Sequence, residues 1–316
     1  MKALITDNTH EILPRKLREA GFEVTVDCGL DYARLRECAA GYDALVVRSK
    51  ITIDKAFLEH VTAQPNCRLR CIGRVGAGME TIDVACAEKK GIRCLNSPEG
   101  NRDAVGEHAV GLLLALFDHI ARADAEVRQG LWQREANRGL EVKGKTVGII
   151  GFGNMGRAFA QRLRGFECEV IAYDKYKPAG FAPEWVEEVS LKELQQRADV
   201  VSLHVPLTDE TRYMVDADFL HRFAKSIYLI NTARGGVVKT DDLVAALEEG
   251  KVLGAGLDVI EYEDMSKDGL GSQLPTVLRS PLNARLVFTP HVAGWTVESK
   301  KKLASVLADK IITELC

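Results

Sequence analysis

The sequence of 316 residues predicts an α/β protein with two parallel sheets. Short apolar runs alternate with helical stretches along the chain, which is typical of parallel strands joined by crossover helices. A glycine-rich strand–turn–helix segment lies near the middle of the chain, so another unit must precede it. At about 100–200 residues per domain, this length also favours two domains.

The first predicted unit occupies residues 1–99. Its apolar runs are KALITD, FEVTVD, DALVVRS, LRCIGR and IRCLN, and helical stretches such as EILPRKLREAG and DKAFLEHV separate them. This pattern predicts a smaller parallel sheet without a glycine-rich phosphate turn of the Rossmann type. Residues 101–130 then predict one long, capped amphipathic helix that links this unit to the next.

Residues 145–174 predict a Rossmann-type dinucleotide-binding unit, in which a strand, a glycine turn, a helix and a second strand follow one another. Gly151 allows the tight turn, Gly153 lets a pyrophosphate approach the backbone, and Gly156 lets the helix pack against the strand. Asp174 ends the second strand, where an acid meets ribose hydroxyls. The phosphates are expected at the helix N-terminus, in contact with the backbone of Asn154 and Met155.

The strands ADVVSLHV, SIYLIN, GAGLDV and RLVFTP follow, which makes about six in this sheet. Polar residues come directly after three of them: Arg234, then Asp258 with Glu263, and finally His291. Arginine can hold a carboxylate through paired hydrogen bonds, and a histidine beside a carboxylate can transfer a proton. Beside a nicotinamide, these groups suit hydride transfer between an alcohol and a ketone.

Composition excludes several other classes of function. The net charge of −3 and the pI near 6.2 argue against nucleic acid or an anionic membrane as the main partner. No apolar run approaches the roughly 18–20 residues that span a bilayer, and the start MKALITDN does not read as a leader, so a cytoplasmic protein is expected. The eight cysteines form no C-x-x-C pair, and no metal site is predicted.

The motifs GFGNMG with Asp174, NTARGG, GLDVIEYE and TPHVAG resemble, in order and spacing, those of the D-isomer-specific 2-hydroxyacid dehydrogenases. The segments VVRSK, GRVGAGMETID and NSPEGN are most similar to the phosphoglycerate dehydrogenases of that family. The resemblance implies a flavodoxin-like substrate-binding domain over 1–99 and 292–316, completed by the C-terminal helix. It also implies an NAD-binding domain over 100–291, catalysis in the cleft between the domains, and a homodimer that pairs through the nucleotide domains.

The resemblance also implies roles for individual residues. Arg234 would bind the substrate carboxylate, Glu263 would orient and charge His291, and His291 would act as the acid/base. The cofactor would contact Gly151, Gly153, Asn154, Met155, Gly156, Asp174, Val205, Pro206, Thr232, Ala233, Asp258 and Gly294. The substrate would contact Arg48, Ser49, Arg74, Gly76, Ala77, Gly78, Asn101 and Arg234, with Arg134 reaching a neighbouring subunit's site.

Two further histidines are expected to have lesser roles. His204 is interpreted as part of the wall of the cofactor site, and His108 as a residue that packs the linking helix. The segment 264–285 departs from the family, since Glu263 is not followed by proline and a longer insertion precedes His291. The chain ends soon after its last helix, so no regulatory domain and no feedback control by serine through one are expected.

The cations Arg48, Arg74 and Arg134 favour a phosphorylated 2-hydroxy acid, because a substrate with only a carboxylate would leave these charges without a partner. The predicted reaction is oxidation of 3-phosphoglycerate in serine biosynthesis. The alternative substrates are 4-phosphoerythronate and unphosphorylated glyoxylate or hydroxypyruvate. An NAD(H)-sensing binding protein similar to a corepressor is the alternative of another class.

Overall fold

The computed structural model describes residues 1–264, 269–270 and 285–316. These residues form two units, Met1–Asn101 with Trp295–Cys316, and Arg102–Gly294. Each unit contains its own parallel sheet. The α/β fold class predicted from the sequence is therefore confirmed.

The first unit is built on a five-stranded sheet in the order β2-β1-β3-β4-β5, with every pair parallel. This is the strand order of flavodoxin-like folds. The strands are β1 (Lys2–Ile5), β2 (Glu23–Val26), β3 (Ala44–Val47), β4 (Cys71–Arg74) and β5 (Arg93–Asn96). The helices between them are α1 (Ile12–Glu19), α2 (Tyr32–Cys38), α3 (Lys55–Ala63) and α4 (Val84–Lys89).

Helices α2, α3 and α4 begin after an aspartate whose carboxylate accepts a backbone N–H of the first turn. The C-terminal helix, Val297–Leu315, packs on β4 and completes this core, as predicted. A β-carbon on Gly73 would lie 3.0 Å from Cδ1 of Ile311, so this helix sits directly against the strand. Its buried side chains include Ala304, Leu307 and Ala308.

The second unit is built on a seven-stranded parallel sheet in the order β14-β11-β10-β9-β6-β7-β8. The strands are β6 (Thr146–Ile150), β7 (Glu169–Tyr173), β8 (Glu187–Glu188), β9 (Val200–Leu203), β10 (Ile227–Asn231), β11 (Val252–Leu257) and β14 (Leu286–Phe288). A separate antiparallel pair comprises β12 (Glu263–Asp264) and β13 (Gly269–Leu270). The helices are α5 (Arg102–Phe117), α6 (Ile120–Arg128), α7 (Asn154–Leu163), α8 (Leu191–Arg197), α9 (Ala217–His221) and α10 (Thr240–Glu248).

The strand order of this sheet is that of a Rossmann fold with one added strand. Connections run outward from β6 to β7 and β8, and the chain then returns to β9 on the other side of β6. This reversal creates a crevice at the carboxyl ends of β6 and β9, the place where ligands of such sheets bind. The predicted count of about six strands omitted β8, because its two glutamates carry no apolar pattern.

The prediction of one linking helix over 101–130 is wrong, because α5 and α6 meet at an angle of 60°. His119 interrupts the helix with a φ of +52°. The carbonyl of Phe117 accepts the backbone N–H of Leu140 at 3.0 Å, so it takes part in a contact outside the helix. Eight of the sixteen residues of α5 are buried, whereas α6 has no buried residue, so the two helices also differ in their packing.

Among the described residues, no single helix is long and apolar enough to cross a membrane, and α5 and α6 reach the required length and composition only as a bent pair. The segment 264–285, which departs from the family, lies mostly outside the described residues.

Candidate active site

The glycine turn after β6 has three different environments at its three glycines. Gly151 has a φ of +89°, which disfavours any residue with a β-carbon. A β-carbon on Gly156 would lie 2.1 Å from the carbonyl oxygen of Gly151, so helix α7 approaches the turn too closely for a side chain. A β-carbon on Gly153 would meet no atom within 4 Å. The backbone at Gly153 therefore faces open space at the N-terminus of α7.

Both oxygens of the Asp174 carboxylate accept hydrogen bonds, and one of these bonds comes from this turn. Oδ2 accepts the backbone N–H of Phe152 at 2.8 Å, and Oδ1 accepts that of Tyr176 at 3.0 Å. The acid predicted at the end of the second strand thus stands beside the glycine turn. Its neighbour Lys175 is paired with the carboxylate of Glu210.

The residues around the crevice suit a dinucleotide. The open backbone at Gly153 and the N–H groups at the start of α7 are what a pyrophosphate needs. Two buried polar atoms here, Oγ1 of Thr232 and Nδ1 of His204, have no hydrogen-bond partner among the described residues. Val205 and Pro206 follow β9 at the same edge, where Val205 is half-buried and Pro206 is exposed. Bound NAD would be held by these groups.

His204 is held in its neutral form. Burial lowers its pKa to about 3, and its Nε2 lies 2.8 Å from Oγ of Ser202. The ring also stacks at a tilt near Phe159, with the ring centres 5.5 Å apart. An uncharged ring at the carboxyl end of β9 is consistent with the wall of a cofactor site, and this role stays a prediction.

The turn that carries Arg234 is fixed by Asn231, a residue that was not predicted from the sequence. The buried amide of Asn231 donates to the carbonyl of Arg234 at 3.0 Å and accepts the N–H of Ala233 at 3.0 Å. A β-carbon on the next residue, Gly235, would lie 1.9 Å from the carbonyl oxygen of Ile260. The turn carrying Arg234 therefore packs directly against the chain that leads to Glu263.

Glu263 and His291 are brought together as the sequence predicted for a proton-transfer pair. Nδ1 of His291 is hydrogen-bonded to Oε1 of Glu263. Both side chains are partly buried, with exposures of 28% for His291 and 18% for Glu263, so water can compete only weakly for this contact. His291 has a φ of +53°, an uncommon conformation for a residue with a β-carbon.

Asp258 anchors the turn that carries His291. Its side chain is almost fully buried, and its oxygens accept the backbone N–H groups of Val292 and Ala293, each at 2.9 Å. Its carbonyl accepts the N–H of His291 at 2.8 Å. This anchoring was not predicted from the sequence, which indicated only a cofactor contact for Asp258. The chain from here to Gly294 ends the second unit.

His108 does more than pack a helix, contrary to the expectation from sequence. Its Nε2 lies 2.8 Å from Oγ1 of Thr289 and 3.5 Å from Oδ1 of Asp258. The partners are 181 and 150 residues away along the chain, so no local pattern could have indicated the contact.

The predicted substrate residues of the first unit gather at the carboxyl edge of its sheet. Arg48 follows β3, and its guanidinium lies 4.6 Å from the ring centre of Trp295, which is 64% exposed. Arg74 ends β4, and its side chain folds over Gly76, whose φ of +151° excludes a side chain. Also near this edge are Ser49, Ala77, Gly78 and Asn101, all half-buried, and Oδ1 of Asn101 has no hydrogen-bond partner among the described residues.

One acid lies among these cations. Burial raises the pKa of Asp7, although the N–H of Arg48 and the charges of Arg48, Lys50 and Arg74 all act to lower it. The backbone of Arg48 donates to Asp7 at 3.2 Å. The three cations therefore share one small region of the first unit.

Arg134 lies in an exposed turn of the second unit, after α6. Large apolar side chains near it along the chain are exposed, namely Ile120, Val127, Leu131, Trp132 and Leu140. Trp132 is 78% exposed, which is unusual for the largest apolar side chain.

Residues 110–293, more than half of the chain, match the family model described as D-isomer specific 2-hydroxyacid dehydrogenase, NAD binding domain. The chain is 39% identical over 274 residues to the hydroxypyruvate reductase of Thermotoga maritima, covering 86% of this chain and 85% of that protein. It is 36% identical to the D-3-phosphoglycerate dehydrogenase of Methanocaldococcus jannaschii, covering 98% of this chain but only 57% of that protein.

The fold agrees with these sequence matches. The crystal structure of a D-lactate dehydrogenase from Treponema pallidum is 29% identical to this chain, has a TM-score of 0.79, and matches it over 100% of this chain and 97% of that one. The family predicted from the four motifs is thus confirmed. The chain belongs to the D-isomer-specific 2-hydroxyacid dehydrogenases and is an NAD-binding oxidoreductase of that family.

Proposed function

We propose that the protein oxidises a phosphorylated D-2-hydroxy acid, 3-phosphoglycerate, to its 2-keto acid with NAD, with Arg234, Glu263 and His291 as the catalytic residues. The observation that carries the proposal is the hydrogen-bonded pair of His291 and Glu263 in the unit that contains the dinucleotide crevice. Bound NAD would supply the hydride acceptor. The protein's own residues handle the proton and the orientation of the substrate.

The Glu263 contact determines which ring nitrogen of His291 can act. An ionised carboxylate only accepts hydrogen bonds, so Nδ1 of His291 carries a proton in this pair. In the neutral ring, Nε2 then has the lone pair that can remove the hydroxyl proton of the substrate. In the reverse direction, the same nitrogen returns the proton to the carbonyl oxygen. Arg234 holds the carboxylate beside the reacting carbon through its fork of N–H donors.

The phosphate is assigned to the cationic edge of the first unit. Arg48 and Arg74 supply the charge, and the backbone turn at Gly76 offers N–H groups to an anion. Two relatives support different substrates, since one is a phosphoglycerate dehydrogenase and another a hydroxypyruvate reductase. The cations Arg48, Lys50 and Arg74 lie around Asp7. This cluster of positive charge favours the phosphorylated substrate over hydroxypyruvate or glyoxylate. The reaction would then belong to serine biosynthesis in the cytoplasm.

A homodimer is part of the proposal. Exposed apolar side chains concentrated in the segment 120–140 are the kind of residue that a second copy covers. The segment that carries them is fastened to α6, because Arg122 donates to Oδ1 of Asn137 at 2.9 Å. Within such a dimer, Arg134 would lie at the boundary with the partner subunit.

The experiment is NADH oxidation at high enzyme concentration with a panel of 2-keto acids, alongside NADH binding followed by fluorescence. We expect turnover with 3-phosphohydroxypyruvate, and a loss of about 10²–10⁴-fold in kcat for His291→Ala with nearly unchanged NADH affinity. Glu263→Gln, which keeps the size but removes the charge, should retain more activity than His291→Ala. Tight NADH binding without turnover of any keto acid would instead support an NAD(H)-sensing binding protein.

A further inference from the structure

A polar chain runs from helix α5 to the turn that carries His291. His108, on α5, places Nε2 at 2.8 Å from Oγ1 of Thr289. Thr289 places the same oxygen at 2.6 Å from Oδ1 of Asp258. All three residues belong to the second unit. Neither His108 nor Thr289 has a role in the chemistry described above.

The direction of these hydrogen bonds follows from the groups involved. An ionised Asp258 can only accept, so the single hydroxyl hydrogen of Thr289 points to Oδ1 of Asp258. The oxygen of Thr289 must then accept from the ring of His108. Nε2 of His108 therefore carries a hydrogen, and the chain of donation runs in one direction, from His108 through Thr289 to Asp258.

This series of hydrogen bonds ends at Asp258, which holds the turn that carries His291. Asp258 is 2% exposed, and it binds the N–H groups of Val292 and Ala293 through its side chain and that of His291 through its carbonyl. His291 has a φ of +53°, so its conformation depends on the contacts around it. A shift of the Asp258 carboxylate would move the backbone on which the imidazole is mounted.

We propose that His108 is a positioning residue for proton transfer. Through the hydroxyl of Thr289 it fixes the Asp258 carboxylate, which in turn holds His291 at the angle needed to meet both Glu263 and the substrate. This inference rests on the proposed role of His291 as the acid/base. A histidine that only packed α5 would need neither a defined tautomer nor a hydroxyl partner.

Paired substitutions test this series of hydrogen bonds at two residues, Thr289 and His108. Thr289→Val removes the hydroxyl but keeps the shape, and Thr289→Ser keeps the hydroxyl. His108→Phe removes the donor, and His108→Gln keeps a donor near the position of Nε2. Because small misplacements of a reacting group are costly, we expect Thr289→Val and His108→Phe to lower kcat about 10- to 100-fold. Thr289→Ser and His108→Gln should restore most of it, and the KM for the keto acid should change little.

A second measurement does not depend on turnover. Long-range ¹H–¹⁵N NMR of the histidine rings reports which nitrogen carries the hydrogen in each tautomer. At a pH where His108 is neutral, we expect the Nε2–H form in the wild type and a mixture of tautomers in Thr289→Val. An Nδ1–H tautomer in the wild type would overturn the proposed direction of donation. This measurement also remains available should His108→Phe fold poorly.

Two further variants distinguish a wrong positioning role for His108 from a wrong catalytic role for His291. His221 is an exposed histidine on α9 that pairs with Glu249, so His221→Phe should leave kcat unchanged. If His291→Ala is inactive while Thr289→Val and His108→Phe keep the wild-type kcat, the positioning role is wrong and the acid/base role stands. If His291→Ala keeps the wild-type kcat, the proposed catalytic role itself is wrong.

Discussion

A β-carbon on Gly156 would lie 2.1 Å from the carbonyl oxygen of Gly151, whereas one on Gly153 would meet no atom within 4 Å. Two glycines of one motif are therefore required for different reasons. Gly156 is fixed by the packing of α7 against the turn, and Gly153 borders the space that suits a pyrophosphate.

This difference predicts that two alanine variants are impaired in different properties, one in stability and the other in NADH binding. Gly156→Ala should lower the free energy of unfolding by about 1–3 kcal/mol, the usual effect of overpacking. Gly153→Ala should change it by less than about 0.5 kcal/mol, because the φ there is −78° and the space is open. The same Gly153 variant should nevertheless bind NADH more weakly. Urea unfolding and fluorescence titration of both variants check this, and normal NADH binding by a stable Gly153→Ala would contradict it.

The position of Asp174 predicts a preference for NAD over NADP. Its carboxylate is held beside the glycine turn, where the 2′-phosphate of NADP would meet a like charge. Lys175 is paired with Glu210, so it is not directed at that phosphate. Asp174→Asn keeps an acceptor for the N–H of Phe152 and removes the charge, so it should narrow the NADH-to-NADPH ratio of kcat/KM. A wild-type enzyme with the higher kcat/KM for NADPH would be inconsistent with this account.

The lowered pKa of His204 predicts that the protein loses stability in mild acid. Burial lowers its pKa to about 3, whereas a histidine in the unfolded chain titrates near ~6.5. Below the unfolded value the unfolded chain binds a proton that the folded chain does not. The free energy of unfolding therefore falls as the pH drops from about 6.5 toward about 3, by up to about 1.4 kcal/mol per pH unit from this residue.

The check is urea unfolding across this pH range for the wild type and His204→Asn, whose free energy should fall less steeply. His221→Gln is a control, because His221 should change the free energy of unfolding with pH in the opposite direction. Hydrogen bonds to the carbonyl of Ala217 and to Glu249 raise the pKa of His221, so its contribution is present at low pH and is lost as the pH rises. Parallel curves for wild type and His204→Asn would show that His204 is not held neutral in the folded protein.

The exposed surface around Trp132 predicts that one substitution separates the subunits. Trp132→Glu should convert a dimer into a monomer in sedimentation velocity, because a buried tryptophan at an interface commonly contributes 2 kcal/mol or more, as an order of magnitude. Val297→Glu is the control, since Val297 is 86% exposed but lies in the first unit at the start of the C-terminal helix. A wild-type protein that sediments as a monomer would contradict the dimer.

Local patterns in the sequence were sufficient to predict the two parallel sheets, the glycine turn and the pairing of Glu263 with His291. Strand alternation and glycine spacing are local signals, and the carboxyl ends of parallel strands meet at one edge. The break in the linking helix was missed because the positive φ of His119 and the hydrogen bond between Phe117 and Leu140 are not indicated by the local apolar pattern. The contacts of His108 with Thr289 and Asp258 were missed for the same reason, since only the folded chain brings them together.

The most direct test of the account is the ratio of kcat/KM for 3-phosphohydroxypyruvate to that for hydroxypyruvate in the wild type, Arg48→Ala and Arg74→Ala. Losing one charge-assisted contact costs about 1.5–3 kcal/mol, or roughly 10- to 150-fold in kcat/KM. Arg93→Ala is the control, because Arg93 begins β5, at the opposite end of that strand from the carboxyl edge, and pairs with Glu314. We expect the wild type to prefer the phosphorylated acid, and each arginine variant to lose this preference while it keeps its rate on hydroxypyruvate. Equal losses on both substrates, or a wild-type preference for hydroxypyruvate, would contradict the phosphate assignment.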